Sequence, residues 1–226
     1  MYISRQVIIY NLMLTRILLV LLFSPTAVFT QTSKEFGRSY SNTIPQNLQL
    51  DVSKLREHIY AGIPNNLKKD WYERMTYEFA DYSAVNITDL MSSGDVYSDW
   101  PSLEEYFNDI LRRVIPQELK SDSMIHVYVL QDGGYNAFMT PSGHIFINVG
   151  VFADITNEAE IAGILAHELA HYYLRHSLYF FLGRETGKFD RGLFNFSKSL
   201  AYKYSIANEL AADSLGIRWL KNSGYR

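Results

Sequence analysis

Two histidines stand four residues apart, His167 and His171, with Glu168 directly after the first, inside a stretch whose apolar residues recur at helical spacing. No other segment constrains the chain as tightly. Residues four apart on an α-helix share one face, one turn apart. Two imidazoles placed there can reach one metal ion, and a tetrahedral site with nitrogen ligands suits zinc. Glu168 is offset by about 100° of helical rotation, beside the ion and not on it. A carboxylate there can take a proton from zinc-bound water, whose pKa falls to about 7. The segment predicts a helix from a cap at Asn157, with Glu160 three residues later, to about Leu182, where Gly183 offers a stop.

A catalytic zinc usually has three protein ligands and an open fourth position. His176 is nearest in sequence, but on one continuous helix it falls almost opposite His171. A second helical pattern, at 199–220, contains Glu209 and Asp213, again four apart, with Ala211 and Ala212 between them small enough to admit a neighbouring helix. Glu209 can ligate zinc while Asp213 accepts the second ring N–H of a ligating histidine. Alone, the two acids would read as a solvated helix face. Beside the paired histidines they are the source expected for the third ligand.

The rest of the chain supplies the frame. Residues 1–30 hold Arg5 and Arg16, no acid, an apolar run at 17–23 and then Ser24-Pro25-Thr26-Ala27, the pattern of a secretory signal peptide, with an uncleaved membrane anchor as the alternative. Either way the domain is expected to be exported. Residues 31–50 read as a polar tether and 51–226 as the folded domain. Leu67, Trp71, Met75, Phe79 and Tyr82 form one helical stripe. Pro101-Ser102, with Glu105 as a capping box, opens a second stripe of Leu103, Tyr106, Phe107, Ile110, Leu111 and Val114. Both stripes read as core. Residues 124–130, 136–139 and 144–149 read as three strands in an antiparallel meander, covered on one face by the histidine-bearing helix. The fold class is therefore α+β, dominated by helix, and residues 183–197 read either as a loop bordering the cleft or as an ordinary linker. The absence of cysteine excludes a disulfide scaffold, a thiol enzyme and a cysteine-type zinc finger. A net charge of −3 without a basic stripe excludes a nucleic-acid partner.

The edge of such a sheet has a physical use. An extended peptide can add to an exposed strand through main-chain hydrogen bonds, turning its scissile carbonyl toward the metal. Asn136 and Ala137 are the expected edge, with Gly143 admitting close backbone approach.

HELAH followed by Arg175-His176, the later ANELAAD at 207–213 and the upstream NAFMTPSGHI at 136–145 together resemble one family. It is the gluzincin-type zinc metallopeptidases that include the heat-shock protease HtpX, the CaaX prenyl-protein endopeptidases and periplasmic outer-membrane-assembly proteases. With its single N-terminal apolar segment, the chain looks like the soluble exported branch. The resemblance implies a zincin-like domain with one Zn2+ per chain held by His167, His171 and Glu209, and Glu168 as general base. It implies hydrolysis of peptide bonds in unfolded or misassembled envelope proteins, in the periplasm or cell envelope, with membrane contact only through an uncleaved N-terminus. His176 and Tyr204 are the candidates for stabilising the oxyanion. The family generally continues with more helix than the 17 residues after Glu209, so the expectation is a minimal or C-terminally truncated version. The alternative function is a chaperone-like module that binds envelope proteins and uses zinc for structure.

Overall fold

The computed structural model describes residues 46–69, 71–98, 100–183 and 204–225. The expected signal peptide, the tether before residue 46 and all but Gly183 of the expected cleft loop lie outside them. The helices are α1 (Val52–Gly62), α2 (Trp71–Ser92), α3 (Pro101–Val114), α4 (Glu158–Tyr173), α5 (His176–Phe181) and α6 (Ile206–Asn222). The strands are β1 (His126–Leu130), β2 (Ala137–Met139) and β3 (His144–Asn148), in the order β1-β3-β2.

β2 and β3 form the expected antiparallel pair, Phe138 opposite Phe146. β1 instead runs parallel to β3, from His126 opposite His144 to Leu130 opposite Asn148, so the sheet is mixed and not an antiparallel meander. The segment between β1 and β2, residues 131–136, is longer than a two-residue hairpin turn and carries the chain past the position that β3 then fills. Gly150 fastens this segment. Its N–H donates to the Asp132 carbonyl (3.0 Å), and an added Cβ would overlap the Gly133 carbonyl.

Alternation along β1 and β3 builds two cores. Val127, Val129, Ile145 and Ile147 pack with Phe107, Ile110 and Leu111 of α3 and Leu165 and Leu169 of α4. Tyr128, Leu130 and Phe146, on the other face, pack with Leu55 and Ile59 of α1, Phe79 and Ile87 of α2 and Phe181 of α5. Both faces are covered, not one. The class is α+β and helix-dominated, as expected. Among the described residues no helix is long and apolar enough to cross a membrane.

Local signals explain most helix ends. The Asp51 carboxylate caps α1 by accepting from Ser53 N (2.9 Å) and Lys54 N (3.2 Å), and Leu48 just before it is buried in the core. Leu67 sits in a separate short turn ahead of α2, and Tyr82 is exposed. The buried stripe of α2 passes through Phe79, Ala80, Ala84, Ile87 and Met91 instead. The capping box expected at Ser102 does not form. Pro101 takes the first helical position, where its fixed φ and missing N–H cost nothing, and Glu105 pairs with Arg112 at 2.8 Å. Asn157 does cap α4, accepting from Glu160 N at 3.2 Å. α4 then stops at Tyr173, short of Leu182, because Arg175 adopts a left-handed conformation (φ 57°, ψ 38°). α6 begins at Ile206, not 199, capped by the Ser205 hydroxyl accepting from Asn208 N.

Candidate metal centre

Among the described residues α4 and α6 pack together more extensively than any other pair of helices, and small residues permit it. Ala212 is buried, and a Cβ on Gly216 would stand 3.1 Å from the Ala166 carbonyl and the His167 nitrogen. Ala211, the other alanine expected at the contact, is exposed. The four-residue spacing of Ala212 and Gly216 was the legible signal for this approach, since it puts two small residues on one face.

The approach lays Glu209 and Asp213 against His167. The Nδ1 of His167 is 2.9 Å from Asp213 Oδ1. Its Nε2 lies 2.9 Å from His171 Nε2, and Glu209 Oε2 stands 3.5 Å and 3.8 Å from these two nitrogens. Donors on a tetrahedral zinc, with bonds of about 2.0–2.1 Å, are separated by about 3.3 Å. The observed spacings bracket that value, and two imidazoles with one carboxylate are a donor set zinc accepts. The residues fit the ion.

Electrostatics agree. Burial pushes the His171 imidazole down to about 3, helped by His167 and His176, so it is neutral and able to ligate. Burial lifts the Glu168 carboxyl to about 8 against the Met139 N–H, and the nearby Glu209 raises it further. Glu209 is itself raised, first by burial. Ionising both acids is costly in the bare protein, and a divalent cation between the imidazoles removes that cost.

Glu168 is held from the sheet. The backbone N–H of Met139 donates to Glu168 Oε2 at 3.2 Å. β2 is an edge strand whose residues alternate: Asn136 O accepts from Asn148 N (3.0 Å) and Thr140 N donates to His144 O (2.8 Å), toward β3. Ala137 and Met139 therefore turn their backbone groups to the open edge, beside Glu168. Asn136 leads into this edge. Gly143 does not lie on it: it occupies the β2–β3 turn with φ 98°, and a Cβ there would come 3.2 Å from the backbone of Met124. A backbone donor such as Met139 carries no side-chain signature, so sequence reasoning missed it.

The break at Arg175 returns His176 to the site. Its Nδ1 is 2.9 Å from His171 Nδ1, both rings being buried, in place of the opposite-face position expected on an unbroken helix. The Tyr204 ring stacks on His171, with centroids 4.4 Å apart and planes at 24°. The two expected oxyanion residues thus gather around His171.

The sequence profile of peptidase family M48 matches residues 101–226. The chain is 36% identical over 72 residues to the mitochondrial metalloendopeptidase OMA1 of Schizosaccharomyces pombe, an alignment covering 32% of this chain and 21% of that protein. It is 26% identical over 153 residues to the beta-barrel assembly-enhancing protease of Yersinia pestis (55% of this chain, 30% of that protein). Against the mitochondrial metalloendopeptidase OMA1 of Arabidopsis thaliana it is 26% identical over 165 residues (60% and 32%). The chain spans no more than 32% of the length of any of these three relatives.

Proposed function

Because the chain belongs to peptidase family M48, we propose that it is a zinc-dependent metalloendopeptidase in which Glu168 is the general base. The observation that carries this reading is the meeting of His167 Nε2, His171 Nε2 and Glu209 Oε2, with the Glu168 carboxylate outside this group and held by the Met139 N–H. A structural zinc site is normally closed by four protein ligands, and this donor set leaves one side open.

When bound, zinc would polarise the scissile carbonyl and acidify the attacking water. The residues do the rest. Ala137 pairs with the substrate backbone and holds the peptide extended along β2. Glu168, steadied by the Met139 N–H, takes the proton of the attacking water and passes it to the departing amine. Tyr204, whose ring lies on the face of His171, carries a hydroxyl that could stabilise the oxyanion. Strand addition reads backbone and not side chains, so the substrates are unfolded or misassembled polypeptides. The basic, then apolar N-terminus supports export, with envelope proteins as the substrates.

Metal content and hydrolysis of an unfolded protein test the reading. The full chain should hold one zinc, and Glu209→Ala should lose it. Glu168→Gln should keep zinc and lose hydrolysis by roughly 10²- to 10⁴-fold. Wild-type rates in Glu168→Gln would refute the mechanism.

A further inference from the structure

We propose that His176 is a positioning residue for the metal centre: its Nδ1 accepts the Nδ1–H of His171 and fixes the ring so that Nε2 faces the ion. This rests on the zinc reading above and goes beyond it by assigning the buried support of the second ligand.

A neutral imidazole carries one N–H. When His171 offers its Nε2 lone pair to a metal, its proton must sit on Nδ1. Among the described residues, the ring nitrogen facing that proton is His176 Nδ1, at 2.9 Å. His176 is therefore the acceptor, with its own proton on Nε2. The rings meet edge to face, centroids 4.8 Å apart and planes at 79°, while Tyr204 lies flat against His171. His171 is thus held on one edge and one face.

The arrangement repeats what Asp213 does for His167 at 2.9 Å. Ligating histidines generally pass their second N–H to a partner that fixes tautomer and orientation. Here the partner is an imidazole supplied by the next turn of the same segment. Arg175 makes this possible, because its left-handed backbone ends α4 and swings the following residue back onto His171. His176 stands on the side of the His171 ring away from Nε2, so it is neither a fourth ligand nor within reach of the substrate carbonyl.

Burial gives the contact its weight. Both rings are 5% exposed, so water does not enter to replace a lost acceptor. The test is zinc affinity, measured by chelator competition on the full chain carrying Glu168→Gln, which removes self-cleavage. His176→Leu keeps bulk but has no acceptor and should weaken zinc by roughly 10- to 100-fold. His176→Asn places an amide oxygen where Nδ1 stands and should recover most of that loss. Thermal unfolding of the metal-free variants controls for folding. Should the leucine variant fail to fold, the Asn variant and a direct NMR readout of the His171 tautomer in the zinc-loaded protein decide. Zinc binding in the leucine variant within about twofold of the parent, equal weakening in both variants, or a His171 proton on Nε2 overturns the proposal. A parent chain that binds no zinc at all overturns the metal reading itself.

Discussion

His167 and His171 project from one face of α4, but His167 leans on Asp213, 46 positions away on α6, and His171 on His176, five positions away across the break at Arg175. The first support is open to solvent, with side chains 27% and 56% exposed, while the His171 side chain is only 5% exposed. An exposed acceptor competes with water, which can stand in for it. A buried acceptor has no such substitute. The two histidines therefore depend on different parts of the protein: one on helix docking, the other on a local turn.

Bulk at the helix contact should break this comparison most severely. Gly216→Leu would force α6 away from rigid backbone at Ala166 and His167, taking Glu209 and Asp213 with it while leaving the His171–His176 contact in place. Zinc content should fall to zero with the helical circular dichroism retained. A variant that still binds stoichiometric zinc would show that docking does not set the site.

A third buried imidazole asks whether burial alone keeps such rings neutral. Burial pushes His144 down to about 4, with His126 and His58 adding and Asp122 opposing, and Ser142 Oγ lies 2.5 Å from its Nδ1. Its folded pKa is below the unfolded value of 6.5, so the unfolded chain binds more protons between pH 6.5 and 4. Stability is full above 6.5 and falls as pH drops through that window, by an amount on the order of 3 kcal/mol. Because the raised Glu168 carboxyl acts in the opposite direction over the same range, the readout is the comparison of two metal-free proteins. From pH 6.5 to 4.5 the urea midpoint of the parent should fall relative to that of His144→Gln, which lacks the titrating ring. Midpoints that run parallel in the two proteins would count against the buried, neutral ring.

Asp213→Ala removes the exposed support. It should weaken zinc by about tenfold, the low end of the range for such partners, because water replaces the carboxylate. A loss larger than that of His176→Leu would invert the ranking of the two supports.

The smallest change concerns the turn. Arg175→Gly relieves a left-handed residue but adds entropy to the unfolded chain, so stability should shift by no more than about 1 kcal/mol and zinc affinity should hold. Arg175→Val, branched at Cβ, should lower both. Thermal unfolding and the same chelator titration separate the two outcomes.

Much of this was readable from the residues because it depends on neighbours along the chain. Asn157 capping α4, the strand periods around Val127 and Ile145, and the pairing of Glu209 with Asp213 on one helix face all follow from rules that act within a few residues. The misreadings have separate causes. The parallel pairing of β1 with β3 and the exposure of Tyr82 were decided by what packs against those segments, while Pro101 took the first helical position ahead of Ser102. The break at Arg175 was invisible because arginine is not a residue that announces a left-handed turn.

By itself the amino-acid order determined which donors exist and how those on one helix are spaced, since the α-helical repeat sets His167, Glu168 and His171 without help from the rest of the molecule. Tertiary structure decided what completes them: a carboxylate brought in over Gly216, a backbone N–H from β2 and an imidazole turned back at Arg175. These are contacts between separate segments, and their geometry comes from packing two cores on one sheet, which no local repeat encodes.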